Sequence, residues 1–147
     1  MNYDLYINHR TSSERIMGAL SEGLELALAS QSRHQRCAYV ALNKGPAYIV
    51  GVAIKCYDES WYEADIIGFG VEHKYKHKGF GSALMKDVTV WADKNNMKLT
   101  LTAMPSGPMP LLGLMMIYEQ HGFRATEMLP GHSWIEMERV PRMVERY

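Results

Sequence analysis

The chain has 147 residues, and its 16 lysines and arginines balance 16 aspartates and glutamates, giving a formal net charge of +0. A neutral balance sets up no global field for DNA or RNA, and no run reaches the ~18 apolar residues of a membrane span. Cys37 and Cys56 are the only cysteines, too few for a disulfide scaffold and without metal-ligand spacing, so no metal is implied. A chain of this length reads as one domain over residues 1–147, burying roughly 70% of its unfolded surface. Asp4, His9 and Arg10 interrupt any apolar leader, which makes the cytoplasm the expected location.

Taken in order, Tyr3 to Asn8 reads as a first strand. Thr11 to Ser30 reads as one broken helix or two short ones, with Ser12 or Ser13 as N-cap and Gly18 and Gly23 as weak points. Cys37 to Asn43 and Ala47 to Tyr57 alternate as strands around the turn Asn43-Lys44-Gly45-Pro46, a hairpin pattern. Residues 64 to 71, Ala-Asp-Ile-Ile-Gly-Phe-Gly-Val, form the fourth strand. A helix from Ser82 to Lys94 stops at Asn95-Asn96, and a fifth strand spans Lys98 to Met104. Pro110 suits the first position of another helix that ends before Gly122, and Phe123 to Met128 and Trp134 to Arg139 close the chain as strands.

The join between the fourth strand and the next helix carries the chemistry. Lys74, Lys76, His77 and Lys78 precede Gly79-Phe80-Gly81-Ser82, so basic side chains surround a glycine turn that opens a helix. Amides at such a helix start lack intrahelical partners and sit at the positive end of the helix dipole, which suits a phosphate. Gly79-Phe80-Gly81 lacks the third glycine of a dinucleotide fingerprint, and no Gly-Lys-Ser/Thr closes a P-loop. An NAD enzyme and an NTPase are both disfavoured.

These residues resemble the GCN5-related N-acetyltransferase (GNAT) family, whose signature Gln/Arg-x-x-Gly-x-Gly/Ala reads here Lys76-x-x-Gly79-x-Gly81. A second family feature, Tyr followed four residues later by Gly-Phe, matches Tyr118, Gly122 and Phe123. Leu111 and Leu114 stand where many relatives have Asn and Ala, so the pantetheine contact usually made by that Asn is not carried over. The resemblance implies an α/β (α+β) fold: a mixed, mostly antiparallel sheet of about seven strands, flanked by helices and splayed between the fourth and fifth strands. It implies acetyl-CoA as cosubstrate, held by Phe69, Gly70, Val71, Lys76, His77, Lys78, Gly79, Phe80, Gly81 and Ser82. Gly68 and Gly70 would leave room beside the cofactor path.

The implied reaction moves acetyl from acetyl-CoA directly to a primary amine, of a small molecule or of a protein, in a ternary complex. Tyr118 takes the position of the family's general acid, and a backbone N–H near Val71 that of the donor to the thioester carbonyl. Asp65 and Glu72 are the candidate bases. Strand parity sets residues 65, 67, 69 and 71 on one side and Glu72 on the other, unless a bulge shifts the phase. Met104, Met109, Met115 and Met116 either fill the core or line a pocket. A catalytically silent acyl-CoA sensor or interaction module is the alternative, nucleic-acid binding through the lysines is remote, and the oligomeric state stays open, a homodimer being one option.

Overall fold

The computed structural model describes residues 11–29, 36–56, 62–72, 74, 76, 78–105, 109–126 and 133–142. The expected first strand at Tyr3 to Asn8 lies outside them. Ser12 caps helix α1 (Ser13–Ala29), its Oγ accepting from the Arg15 N–H at 3.3 Å. The helix is continuous through both glycines, which corrects the broken-helix expectation. Gly23 is buried where a Cβ would collide with Val40, so its missing side chain is what lets α1 sit close on the sheet.

Strands β1 (Arg36–Lys44) and β2 (Ala47–Cys56) form the expected hairpin, and β2 pairs antiparallel with β3 (Tyr62–Val71). Helix α2 (Phe80–Lys94) then crosses over to β4 (Lys98–Ala103), which pairs parallel with β3; parallel neighbours need such a crossover. Helix α3 (Leu111–Glu119), β5 (Arg124–Ala125) and β6 (Ile135–Arg139) complete a sheet of six described strands in the order β1-β2-β3-β4-β6-β5. Pro110 is the N-cap of α3, one residue earlier than expected.

Apolar residues of α1 and α2, among them Ile16, Leu20, Leu84, Val88 and Trp91, share one core cluster with Val52, Ile54, Ala64, Ile66, Leu99 and Leu101 of the sheet. Two polar ties cross this core. Lys44 Nζ donates to Asp87 Oδ2 at 2.6 Å and to Ser13 Oγ at 2.8 Å, joining the end of β1 to both helices. Trp91 Nε1 donates to Ser21 Oγ at 3.2 Å.

A third tie joins β6 to α2. Arg139 on β6 grips Asp93 of α2 through two parallel bonds of 2.8 and 2.9 Å, and its Nε donates to the His121 carbonyl at 2.8 Å. The Arg142 N–H adds a 2.8 Å bond to Asp93 Oδ1. Burial pushes the Asp93 carboxyl up, but the Arg139 hydrogen bonds, the Arg142 N–H and both positive charges outweigh it and hold the group below its usual value of 3.8.

A carboxyl whose folded pKa lies below its unfolded one stabilises the fold above the unfolded value of about 4, and that stability is lost as pH falls through the folded value. Asp93→Asn strands the Arg139 charge, so we expect a loss of about 3 to 5 kcal/mol in denaturant unfolding at pH 7. The gap between wild type and variant should narrow at pH 3.

Candidate active site

The parallel pairing of β3 and β4 ends early. It runs from Glu63↔Lys98 to Ile66↔Leu101, while β3 continues to Val71 and β4 to Ala103. The strands part beyond that point and leave a cleft of about 430 Å³, within the size range of small-molecule sites. Tyr48, Val50, Ile66, Gly68, Phe69, Leu101, Thr102, Met104 and Tyr118 line it.

The sheet is irregular further across as well. Between Val40↔Val52 and Leu42↔Ile49 the β1–β2 register slips, so Val50 and Gly51 together oppose Ala41, a bulge. β3 keeps step with β2 on both sides of this point, and Gly68 takes φ 72°, a left-handed value open to glycine without strain. The inward set therefore changes phase. Ala64 and Ile66 face the core before Gly68, and Phe69 and Val71 pack against it afterwards. Asp65 and Val71 thus face opposite sides, the bulged case that simple alternation excludes.

The same ladder fixes which backbone groups are open. Glu72 N–H donates to the Pro46 carbonyl at 2.9 Å, so the intervening parity turns the N–H and C=O of Phe69 and Val71 away from β2, towards the unpaired edge facing the splay. Gly68 lines the cleft, and both Gly68 and Gly70 are packed against side chains of β2. A Cβ on Gly70 would lie 2.6 Å from Tyr48 Oη, and one on Gly68 would lie 2.5 Å from Val50 Cγ2. Side chains of β2 already occupy the space that these glycines leave.

Past the far end of β3 the chain turns at Gly79 into α2. Gly79 caps α2 with φ 84° and makes no side-chain cap bond, and the first intrahelical bond runs from Ala83 N–H to the Gly79 carbonyl at 3.0 Å. The amides of Gly81 and Ser82 precede that bond, at the helix start where N–H groups lack intrahelical acceptors. No acidic residue occupies the first turn, Ser82 is exposed, and Lys76 and Lys78 are exposed just upstream. His77 lies outside the described residues, as do His73 and Tyr75. Gly81 is a packing glycine: a Cβ there would stand 3.0 Å from Val71 Cγ2 and 3.1 Å from Phe69 Cζ, so α2 rests directly on β3.

Tyr118 is 6% exposed and its ring stands between Phe69 and Phe123, at centroid distances of 6.1 and 6.0 Å. Burial pushes its phenol above the ordinary value of 10.0, so the group keeps its proton at neutral pH and can donate it. The surrounding motif has a structural account. Phe123 N–H bonds to the Tyr118 carbonyl at 3.2 Å and Gly122 N–H to the Glu119 carbonyl at 3.0 Å, with Gly122 at φ 91°. This is a Schellman motif, and the Tyr118–Phe123 ring contact is its usual apolar partner pair.

Neither candidate base lines the cleft. Asp65 adjoins Ile66 in the wall but accepts a 2.9 Å bond from Thr100 Oγ1, and Glu72 is exposed beyond the end of β3. Of the four methionines near the motifs only Met104 is in the lining. Tyr48, Val50 and Thr102 are site residues that sequence reading passed over; cross-strand pairing brings the first two in from β2.

A sequence model of the acetyltransferase (GNAT) family matches residues 7–123. No curated protein matches the sequence. Among solved structures, the fold is similar to the NatB acetyltransferase complex bound to CoA and MES, with TM-score 0.53, 14% identity, and 97% of this chain and 84% of that chain covered. It is similar also to the ribosomal-protein-S18-alanine N-acetyltransferase of Escherichia coli, with TM-score 0.50, 15% identity, and coverage of 92% and 94%. The anti-CRISPR protein AcrVA5 gives TM-score 0.50 at 19% identity, covering 68% of this chain and 96% of that one. The matched span takes in the splayed strands, the Gly79 turn and the Tyr118 motif, and the chain belongs to the GNAT acetyltransferase family.

Proposed function

We propose that this protein transfers an acetyl group from acetyl-CoA to a primary amine by direct attack in a ternary complex. The observation that carries this reading is the splay itself, whose open β3 edge leads from Tyr118 to the start of α2, where Gly79 makes no side-chain cap bond. Acetyl-CoA would place its pyrophosphate on the amides of Gly81 and Ser82, with Lys76, His77 and Lys78 contributing charge. Its pantetheine would follow the Phe69–Gly70–Val71 edge as an added strand. The similar NatB structure was solved with CoA bound, which supports this choice of cosubstrate.

In the step itself the amine lone pair attacks the thioester carbonyl carbon, a C–N bond forms, and the C–S bond breaks. The Val71 N–H is the assigned donor to the developing oxyanion, and Tyr118 gives its proton to the departing thiolate. The proton released by the amine goes to water, with Asp65 as the carboxylate assigned to receive it through that water. Glu72 has no part in this scheme.

A silent acyl-CoA sensor is the rival, favoured by the structural account of Tyr118, Gly122 and Phe123 as a helix stop. Tyr118→Phe separates the two, since it keeps the ring and removes the proton. We expect kcat for CoA release with an accepted amine to fall about 100-fold or more, with acetyl-CoA affinity within a few fold of wild type. Unchanged kcat would remove Tyr118 from the chemistry.

Cofactor placement is tested at Ser82. Ser82→Asp adds a carboxylate to the first turn of α2, which favours the helix by about 0.3 to 1 kcal/mol yet repels a phosphate. Calorimetric titration should find acetyl-CoA binding weakened about tenfold or more with Tm preserved. Gly81→Val should instead lower Tm together with binding, because it crowds Val71 and Phe69.

A further inference from the structure

We infer that the acceptor is a weakly basic primary amine attached to a large apolar or aromatic group, with Tyr48 and Met104 forming the surface that grips that group. This rests on the acetyl-transfer reading and narrows its substrate class. Every described residue lining the cleft is uncharged, and three large apolar ones stand open: Tyr48 is 43% exposed, Val50 65% and Met104 60%. Single exposed apolar residues are ordinary on a surface, but these three border one concave site with Tyr118.

Tyr48 is held in position before any ligand arrives. It pairs with Gly70 across the β2–β3 ladder, and its Cζ and Oη lie 2.7 and 2.6 Å from where a Gly70 Cβ would be. The ring lies across the bare backbone of β3, the arrangement by which an aromatic covers a strand glycine. A ring already fixed loses little side-chain freedom on binding, and its exposed part offers an amphipathic contact surface. Met104 at the end of β4 adds a polarizable side chain that adapts to the shape of an apolar partner.

Charge points to the same class. A polyamine carries further ammonium groups that need carboxylate partners when they leave water, and neither Asp65 nor Glu72 is in the lining. An α-amine near pKa ~8 is partly neutral at physiological pH, whereas a lysine-like amine near ~10.4 is not. A weakly basic amine therefore reaches the nucleophilic state without a base in contact.

The test compares kcat/KM for phenylalaninamide, glycinamide and spermidine at saturating acetyl-CoA, in wild type, Tyr48→Ala, Tyr48→Phe and Met104→Glu. Phenylalaninamide should lead by about 10- to 100-fold, the usual worth of burying one large apolar group. Tyr48→Ala should erase most of that lead through the acceptor KM, with the acetyl-CoA Kd within threefold of wild type. Tyr48→Phe should retain the preference. Met104→Glu, at an exposed strand end, should move the order towards spermidine. Spermidine matching phenylalaninamide in wild type would overturn the inference, as would a Tyr48→Ala variant that weakens acetyl-CoA and leaves the acceptor order unchanged.

Titration of CoA-loaded protein with N-acetylphenylalaninamide reads the same surface without turnover. If no amine is acetylated, the transferase reading fails, and saturable binding weakened by Tyr48→Ala still upholds the apolar subsite. No saturable binding overturns it.

Discussion

Everything at the site depends on how soon β3 and β4 stop pairing. Two parallel strands joined through a helix would ordinarily share hydrogen bonds along their common length, and the cleft would then be closed by backbone. Here the register slip between β1 and β2 is carried across to β3, Gly68 absorbs it with a left-handed φ, and the strand turns its apolar set over. Phe69 and Val71 then support the start of α2 through the gap left by Gly81. The opening, the free strand edge and the glycine turn that starts α2 thus all lie next to one local irregularity.

The rest of the molecule holds that opening in shape from both ends. Lys44, Asp87 and Ser13 fasten α2 to the hairpin and to α1. Asp93 and Arg139 fasten its other end to β6, and the same guanidinium reaches the His121 carbonyl in the turn that ends α3. Since α3 carries Tyr118, the ion pair relates the position of the phenol to that of α2 and the Gly79 turn that opens it. A paired charge in the interior adds little net stability over an apolar pair, but its geometry admits few alternatives.

Much of this was legible in the sequence because it is local. The hairpin, the helix stop at Asn95-Asn96, the glycine turn and the spacing of Tyr118 to Gly122-Phe123 each depend on residues close together in the chain. Strand phase was not legible in the same way, since the bulge is defined by pairing between β1 and β2 while its effect falls on Asp65 and Phe69 in β3. The continuity of α1 escaped for a similar reason: Gly23 looks like a weak point in isolation and is a contact with Val40 in the fold. Tyr48 carried no motif at all, and only its partner Gly70 explains where its ring lies.

The Schellman closure of α3 bears on how this family changes over time. The Tyr118 ring, left-handed Gly122 and Phe123 all take part in ending the helix. Selection for folding alone would keep an aromatic ring, the glycine and the phenylalanine here and leave one oxygen atom free to vary. The Tyr118 hydroxyl takes no part in the two backbone bonds or in the ring contact, so a phenylalanine at this position would close α3 in the same way.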